Sequence, residues 1–139
     1  MSIKLSNDEI MVLNVFSQVT HADARDCLLE PLRVVFLVKS SEMGKAIGKN
    51  GSTVKRLAEK FKRKVEVVEY AEEPETFFKH AFKDVGFKHL ALRNEGVEKI
   101  LEASADAENK RVLFQNMAKF KYIKKLMERN YGIQDVRVR

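Results

Sequence analysis

The sequence predicts an α+β chain built as two small domains of one element order, α–β–β–α–α–β, each with a single sheet and its helices on one face. Three observations point there. Apolar residues switch repeatedly between helical and alternating spacing. An acidic, proline-containing break, Ala71-Glu72-Glu73-Pro74, divides the chain into residues 1–71 and 72–139. A third signal is an internal repeat. Shifted by 69 residues, Val54-Lys55-Arg56-Leu57-Ala58-Glu59-Lys60 falls on Ile123-Lys124-Lys125-Leu126-Met127-Glu128-Arg129, matching apolar with apolar and charge sign with charge sign throughout.

Ser6 with Glu9 forms a capping box, and Val12, Val15, Phe16 and Val19 behind it make the apolar stripe of a first helix. Arg25 to Leu29 and Arg33 to Lys39 read as strands joined by a turn at Glu30-Pro31. Val34, Phe36 and Val38 share one face of the second strand and Val35 and Leu37 the other, so both faces should be covered. A helical segment from Ser41 to Ile47 is interrupted by Gly48-Lys49-Asn50-Gly51, and another helix starts at Ser52. Its apolar stripe is Val54, Leu57, Ala58 and Phe61, with Lys55, Arg56 and Lys60 away from it. Val65 to Tyr70 alternates as a strand.

After the break the order restarts. Pro74 opens a helix running through Thr76 to Phe82, which Phe77, Phe78 and Phe82 anchor. Phe87 to Arg93 and Val97 to Ser104 form a hairpin across Asn94-Glu95-Gly96. One or two helices span Ala107 to Asn130, and Ile133 to Arg139 is the last strand. With two extra loop residues allowed, Val65 and Val67 fall on Val136 and Val138.

The 139 residues are 45% hydrophobic and 33% charged, a folding composition. No stretch approaches the roughly 18 apolar residues of a membrane span. Asp8, Glu9 and Asn14 disqualify the first residues as a signal peptide, and Cys27 stands alone. A cytoplasmic protein without a membrane partner is expected. The net charge of +6 is unevenly spread: residues 45–64 carry +7 and residues 110–129 carry +6, leaving −7 for the rest. Two basic islands on an acidic background suit a polyanionic partner, although two solvated helical faces would look the same in composition.

The Gly48–Gly51 loop suits such a partner. Glycines let the backbone approach a bulky anion, and the N–H groups of the following helix add a phosphate site. Lys49 supplies charge and Asn50 supplies donors, so a sugar–phosphate backbone can cross the loop with its bases toward Ile47. As a bare pattern two glycines so spaced often mark only a turn; the basic helix behind them supplies the context. Other phosphate motifs fail. Gly44 and Gly48 have the wrong spacing for a P-loop, and Asn50 stands where its magnesium-holding hydroxyl belongs. His21, His80 and His89 lack ligand spacing, so neither a metal nor a cofactor is expected. Cys27 reads as a small core residue, no aromatic stacking platform is evident, and no catalytic residues are assigned.

Ala46-Ile47-Gly48-Lys49-Asn50-Gly51-Ser52-Thr53-Val54-Lys55-Arg56-Leu57 resembles the Ile-Gly-x-x-Gly core of a KH domain, and the element order resembles the prokaryotic type II form of that fold. The stretch from Val65 through Glu72-Glu73-Pro74 to Phe77 resembles the junction of the paired KH domains of NusA, so nearly the whole chain resembles the short archaeal NusA-like proteins. That resemblance implies two tandem type II KH domains, in a non-enzymatic protein that binds single-stranded RNA in transcription termination or antitermination. RNA polymerase or its transcription complex is the implied protein partner, and a monomer is expected. The implied RNA-binding set is Ile47, Gly48, Lys49, Asn50, Gly51, Ser52, Lys55 and Arg56. Aspartate at Gly48 or Gly51 should repel the phosphates with the fold largely kept. In the second domain the loop is degenerate, reading Met117-Ala118-Lys119-Phe120, and Lys119, Lys121, Lys124 and Lys125 are left as a weaker basic face.

Three other functions share parts of this pattern. A KH protein of ribosome assembly or translation would have the same fold and loop and differ only in its partners. A nuclease would need clustered carboxylates, and the basic islands hold only Glu59 and Glu128. An adaptor for an acidic protein would tolerate mutation of the loop.

Overall fold

The computed structural model describes residues 5–139. The chain divides into two units, one ending at Tyr70 and the other Ala71–Arg139.

Helix α1, Asn7–Thr20, is started by the capping box: the Ser6 N–H donates to Glu9 (3.1 Å) and the Glu9 N–H to Ser6 Oγ (3.2 Å). It ends at His21 in the left-handed conformation (φ 58°). Strands β1, Ala24–Leu29, and β2, Arg33–Lys39, pair antiparallel, and β3, Lys64–Tyr70, lies parallel on the other side of β2. The inward face of β2 (Val34, Phe36, Val38) packs with Val12 and Phe16 of α1 and with Leu57, and the Phe16 and Phe36 rings stack 4.3 Å apart. Val35 and Leu37 on the opposite face are also fully buried, so the unbroken apolar run of β2 reflects cover on both sides. The stretch expected as one helix from Ser41 is a 3₁₀ turn at Ser40–Glu42 followed by the short α2, Met43–Ile47. Helix α3, Ser52–Phe61, lays Val54, Leu57, Ala58 and Phe61 on the core.

The second unit runs α4 (Pro74–Ala81), β4 (His89–Glu95), β5 (Glu98–Ser104), α5 (Ala107–Gln115), α6 (Met117–Tyr131) and β6 (Ile133–Val138). Its sheet has the same plan, β4 and β5 antiparallel, β5 and β6 parallel, with β5 central. The hairpin is tighter than the sequence suggested. Glu95 pairs with Glu98, leaving Gly96 (φ 64°) and Val97 as a two-residue turn that needs positive φ. Phe77, Phe78 and Phe82 are buried, and Tyr131 donates a hydrogen bond to the Ala71 carbonyl. Asp106 caps α5 through the Asn109 N–H, and the Asn109 side chain in turn accepts from the Gly86 N–H at 2.7 Å. No helix of the described residues is long and apolar enough to cross a membrane.

Candidate nucleic-acid interface

In the first unit α2 ends at Gly48 (φ 77°, ψ 169°), whose N–H still donates to the Gly44 carbonyl. Asn50 (φ 56°) and Gly51 (φ 73°) follow on the same side of conformational space, and the Gly51 N–H closes the turn on Gly48. The two glycines answer different needs. A Cβ at Gly48 would lie 2.2 Å from Thr53 Oγ1 and 2.8 Å from the Thr53 nitrogen, so the loop backbone is pressed against the first turn of α3. Aspartate at Gly48 therefore forces the loop or the first turn of α3 to shift, which corrects the expectation that it would act on a ligand alone. At Gly51 a Cβ would meet nothing within 4 Å, and the space above the loop is open.

Helix α3 begins at Gly51 without any side-chain cap; the Ser52 N–H donates back to the Lys49 carbonyl, and the positive end of the helix dipole lies at the loop. Ala46 is buried, whereas its neighbour Ile47 is 37% exposed at the loop's edge. Lys49, Asn50, Ser52, Lys55 and Arg56 are all exposed, and Lys55 and Arg56 stand three and four residues beyond Ser52, on the same face of α3. Lys45 pairs with Glu42 at 3.4 Å and Lys64 with Glu66 at 3.0 Å. Lys49, Lys55 and Arg56 make no ion pair among the described residues. The sequence-predicted set thus converges on one end of α3, with its charge uncompensated.

The second unit is built differently at the corresponding place. Met117-Ala118-Lys119-Phe120 is no loop; it is the first turn of α6, capped by Asn116, which accepts from the Lys119 N–H at 3.1 Å. Asn116 alone separates α5 from α6. Phe120 is buried against the rings of Phe78, Phe82 and Phe114. The four lysines do not share one free face. Lys119 Nζ lies over the Phe82 ring, and Lys124 Nζ binds Asp135 at 3.3 Å, while Lys121 and Lys125 are exposed one turn apart. In the repeat alignment Asp135 replaces Lys64, so the counterpart of Lys55 has acquired a counter-ion.

The arginines of the second sheet are likewise occupied. Arg93 bridges Glu95 (2.9 Å) and Glu102 (2.8 Å), and Arg137 binds Glu95 at 2.7 Å. The hydrogen bond from Arg137, reinforced by its charge, holds the Glu95 carboxyl below its ordinary range. His80 and His89 are exposed, and no group of three potential ligands capable of holding a metal occurs among the described residues. Cys27 is buried, its Sγ near the Glu9 carbonyl. Sequence reading missed Phe114, which is 37% exposed beside Lys110 and Arg111. Its signal was an aromatic three and four residues beyond two cations on one helix.

A family model described as KH domain matches residues 13–103, more than half of the chain. Three archaeal proteins named probable transcription termination protein NusA match nearly all of it. The one from Methanocaldococcus jannaschii is 28% identical over 98% of this chain and 75% of its own length. That from Halococcus morrhuae is 30% identical over 98% of both, and that from Halobacterium salinarum 32% identical over 99% of both. Among solved structures, the crystal structure of APE1850 superposes with a TM-score of 0.86 at 25% identity, covering 97% of this chain and 100% of that one.

Proposed function

The chain belongs to the KH domain family, among its archaeal NusA-like members, and on that premise we propose that it is a non-enzymatic, monomeric binder of single-stranded RNA acting in transcription termination or antitermination. Its two units are then tandem type II KH domains, a reading supported by their shared element order and strand pairing. The relatives' names support a role with the transcription machinery, and RNA polymerase or its transcription complex is the protein partner proposed on that basis.

The observation that carries the proposal is the Gly48–Gly51 loop, held against α3 by Gly48 and open above Gly51, with Lys49, Lys55 and Arg56, which have no ion pair among the described residues, around it. A phosphate there meets backbone N–H groups, the helix dipole and three cations together. Ile47 offers the apolar edge on which a base can rest. Lys121 and Lys125 add attraction from the second unit without fixing register.

Gly51→Asp tests this, with Gly51→Asn as the uncharged control, because both side chains tolerate the left-handed conformation. Binding of fluorescein-labelled single-stranded RNA should weaken roughly tenfold or more for the aspartate and much less for the asparagine. A folded Gly51→Asp protein that binds as tightly as the parent would show that phosphates do not lie on this loop.

A further inference from the structure

Helix α5 carries a feature that the loop site does not use. Ala107, Lys110, Arg111 and Phe114 fall at positions one, four, five and eight of the helix, which puts them on one face, and together they line a shallow surface concavity. Leu113, on the opposite side, is buried and fixes the helix to the core. Phe114 is 37% exposed, and Met117, just across the Asn116 break, is 46% exposed. The Phe114 ring is held from below by Phe120, edge to face at 5.2 Å, so its exposed side is presented at fixed orientation. Lys110 and Arg111 flank it one turn earlier, the Arg111 side chain being 78% exposed with only a 3.7 Å contact to the equally open Glu108.

We propose that this face of α5 is a second RNA contact, at which one base of the single strand stacks on Phe114 while Lys110 and Arg111 hold the adjacent phosphates. The inference rests on the RNA-binding reading of the chain and extends it to the unit that lacks the glycine loop. The choice of occupant follows from charge. A partly exposed aromatic ring packed on Phe120, one turn beyond two cations and in a stretch of net +6, complements a base with its adjacent phosphates. Every base has a π-face, so this contact tolerates any sequence, whereas the loop of the first unit sets register.

The chain contains no tryptophan, so Phe114→Trp introduces a single fluorescent reporter into the full-length protein. Short oligo(A) and oligo(U) strands should quench its emission in step with binding measured by anisotropy. The same reporter at the hairpin tip, in Val97→Trp, should not respond; Val97 is 97% exposed and far from any basic island in sequence. Phe114→Leu, which keeps an apolar side chain over Phe120, should weaken binding at least about fivefold, the low end of what a stacked base contributes. If the parent binds RNA but either the Phe114→Trp emission stays flat or Phe114→Leu binds as the parent does, the stacking site is wrong, the RNA-binding reading stands, and an acidic protein becomes the better occupant for this face. If the parent binds neither strand, the RNA-binding reading itself falls, and the proposal with it.

Discussion

Gly48 and Gly51 share a sign of φ and nothing else. The first is excluded from bearing a side chain by Thr53, which occupies the space where a Cβ would stand; the second needs only the left-handed conformation. Alanine therefore separates them. Gly51→Ala costs the conformational penalty alone, about 1–2 kcal/mol. Gly48→Ala adds a clash with backbone and side chain of Thr53, for a total of roughly 3 kcal/mol or more. Thermal unfolding followed by circular dichroism should show the larger loss of Tm for Gly48→Ala. Equal losses would mean that the loop relaxes away from α3 without penalty and that Gly48 does not hold it there. The same contrast explains why only Gly51 is suited to the charge test: a substitution there changes what a ligand meets before it changes what the loop packs against.

Helices α3 and α6 match in residue type over seven aligned positions, yet they present charge differently. Lys55 and Arg56 have no counter-ion among the described residues, whereas Lys124 is bound by Asp135. Replacing Lys55 and Arg56 together with Gln should flatten the log–log salt dependence of RNA binding by about 1.4, at roughly 0.7 per phosphate contact on a single strand. Replacing Lys124 and Lys125 should flatten it less. An equal effect from both pairs would mean that the two helices face the RNA alike. Much of this element scale was legible in the sequence. Ser6 and Glu9 announced the first helix, the stripe Val54-Leu57-Ala58-Phe61 oriented α3, and the unbroken apolar run around Phe36 announced a strand covered on both faces. What escaped were features decided by tertiary packing. Asn116 breaks a continuous basic, amphipathic stretch by capping the next helix with its own side chain, a local choice that periodicity does not register. The ion pair between Lys124 and Asp135 joins positions eleven apart, visible only once β6 folds back beside α6. Phe114 looks like any core aromatic until burial assigns the core to Leu113 instead.

At the scale of the whole chain, whose pI is about 9.4, two units of one topology differ in what stands at the start of the helix before the last strand. Such a charge steers a polyanion toward both basic islands, while only the first offers it a bare backbone. The sequence repeat matched the two halves but misdescribed the difference: residues 117–120 of the second are not a loop without glycines but the first turn of a helix. A loop is hard to build there, because Phe120, in the position of Gly51, belongs to the ring cluster of Phe78, Phe82 and Phe114. Grafting Gly-Lys-Asn-Gly onto residues 117–120 should fail to create a second phosphate loop. The Phe120→Gly component alone should destabilise the protein by about 3–5 kcal/mol, the range for losing a buried aromatic side chain, as measured by urea denaturation. A graft that kept the parent's stability and bound RNA more tightly would show the core to be more forgiving than its packing implies. If the halves descend from a common ancestor, the second has passed through an evolutionary ratchet: once a former contact residue became a keystone, selection for folding alone suffices to keep the ancestral function from returning.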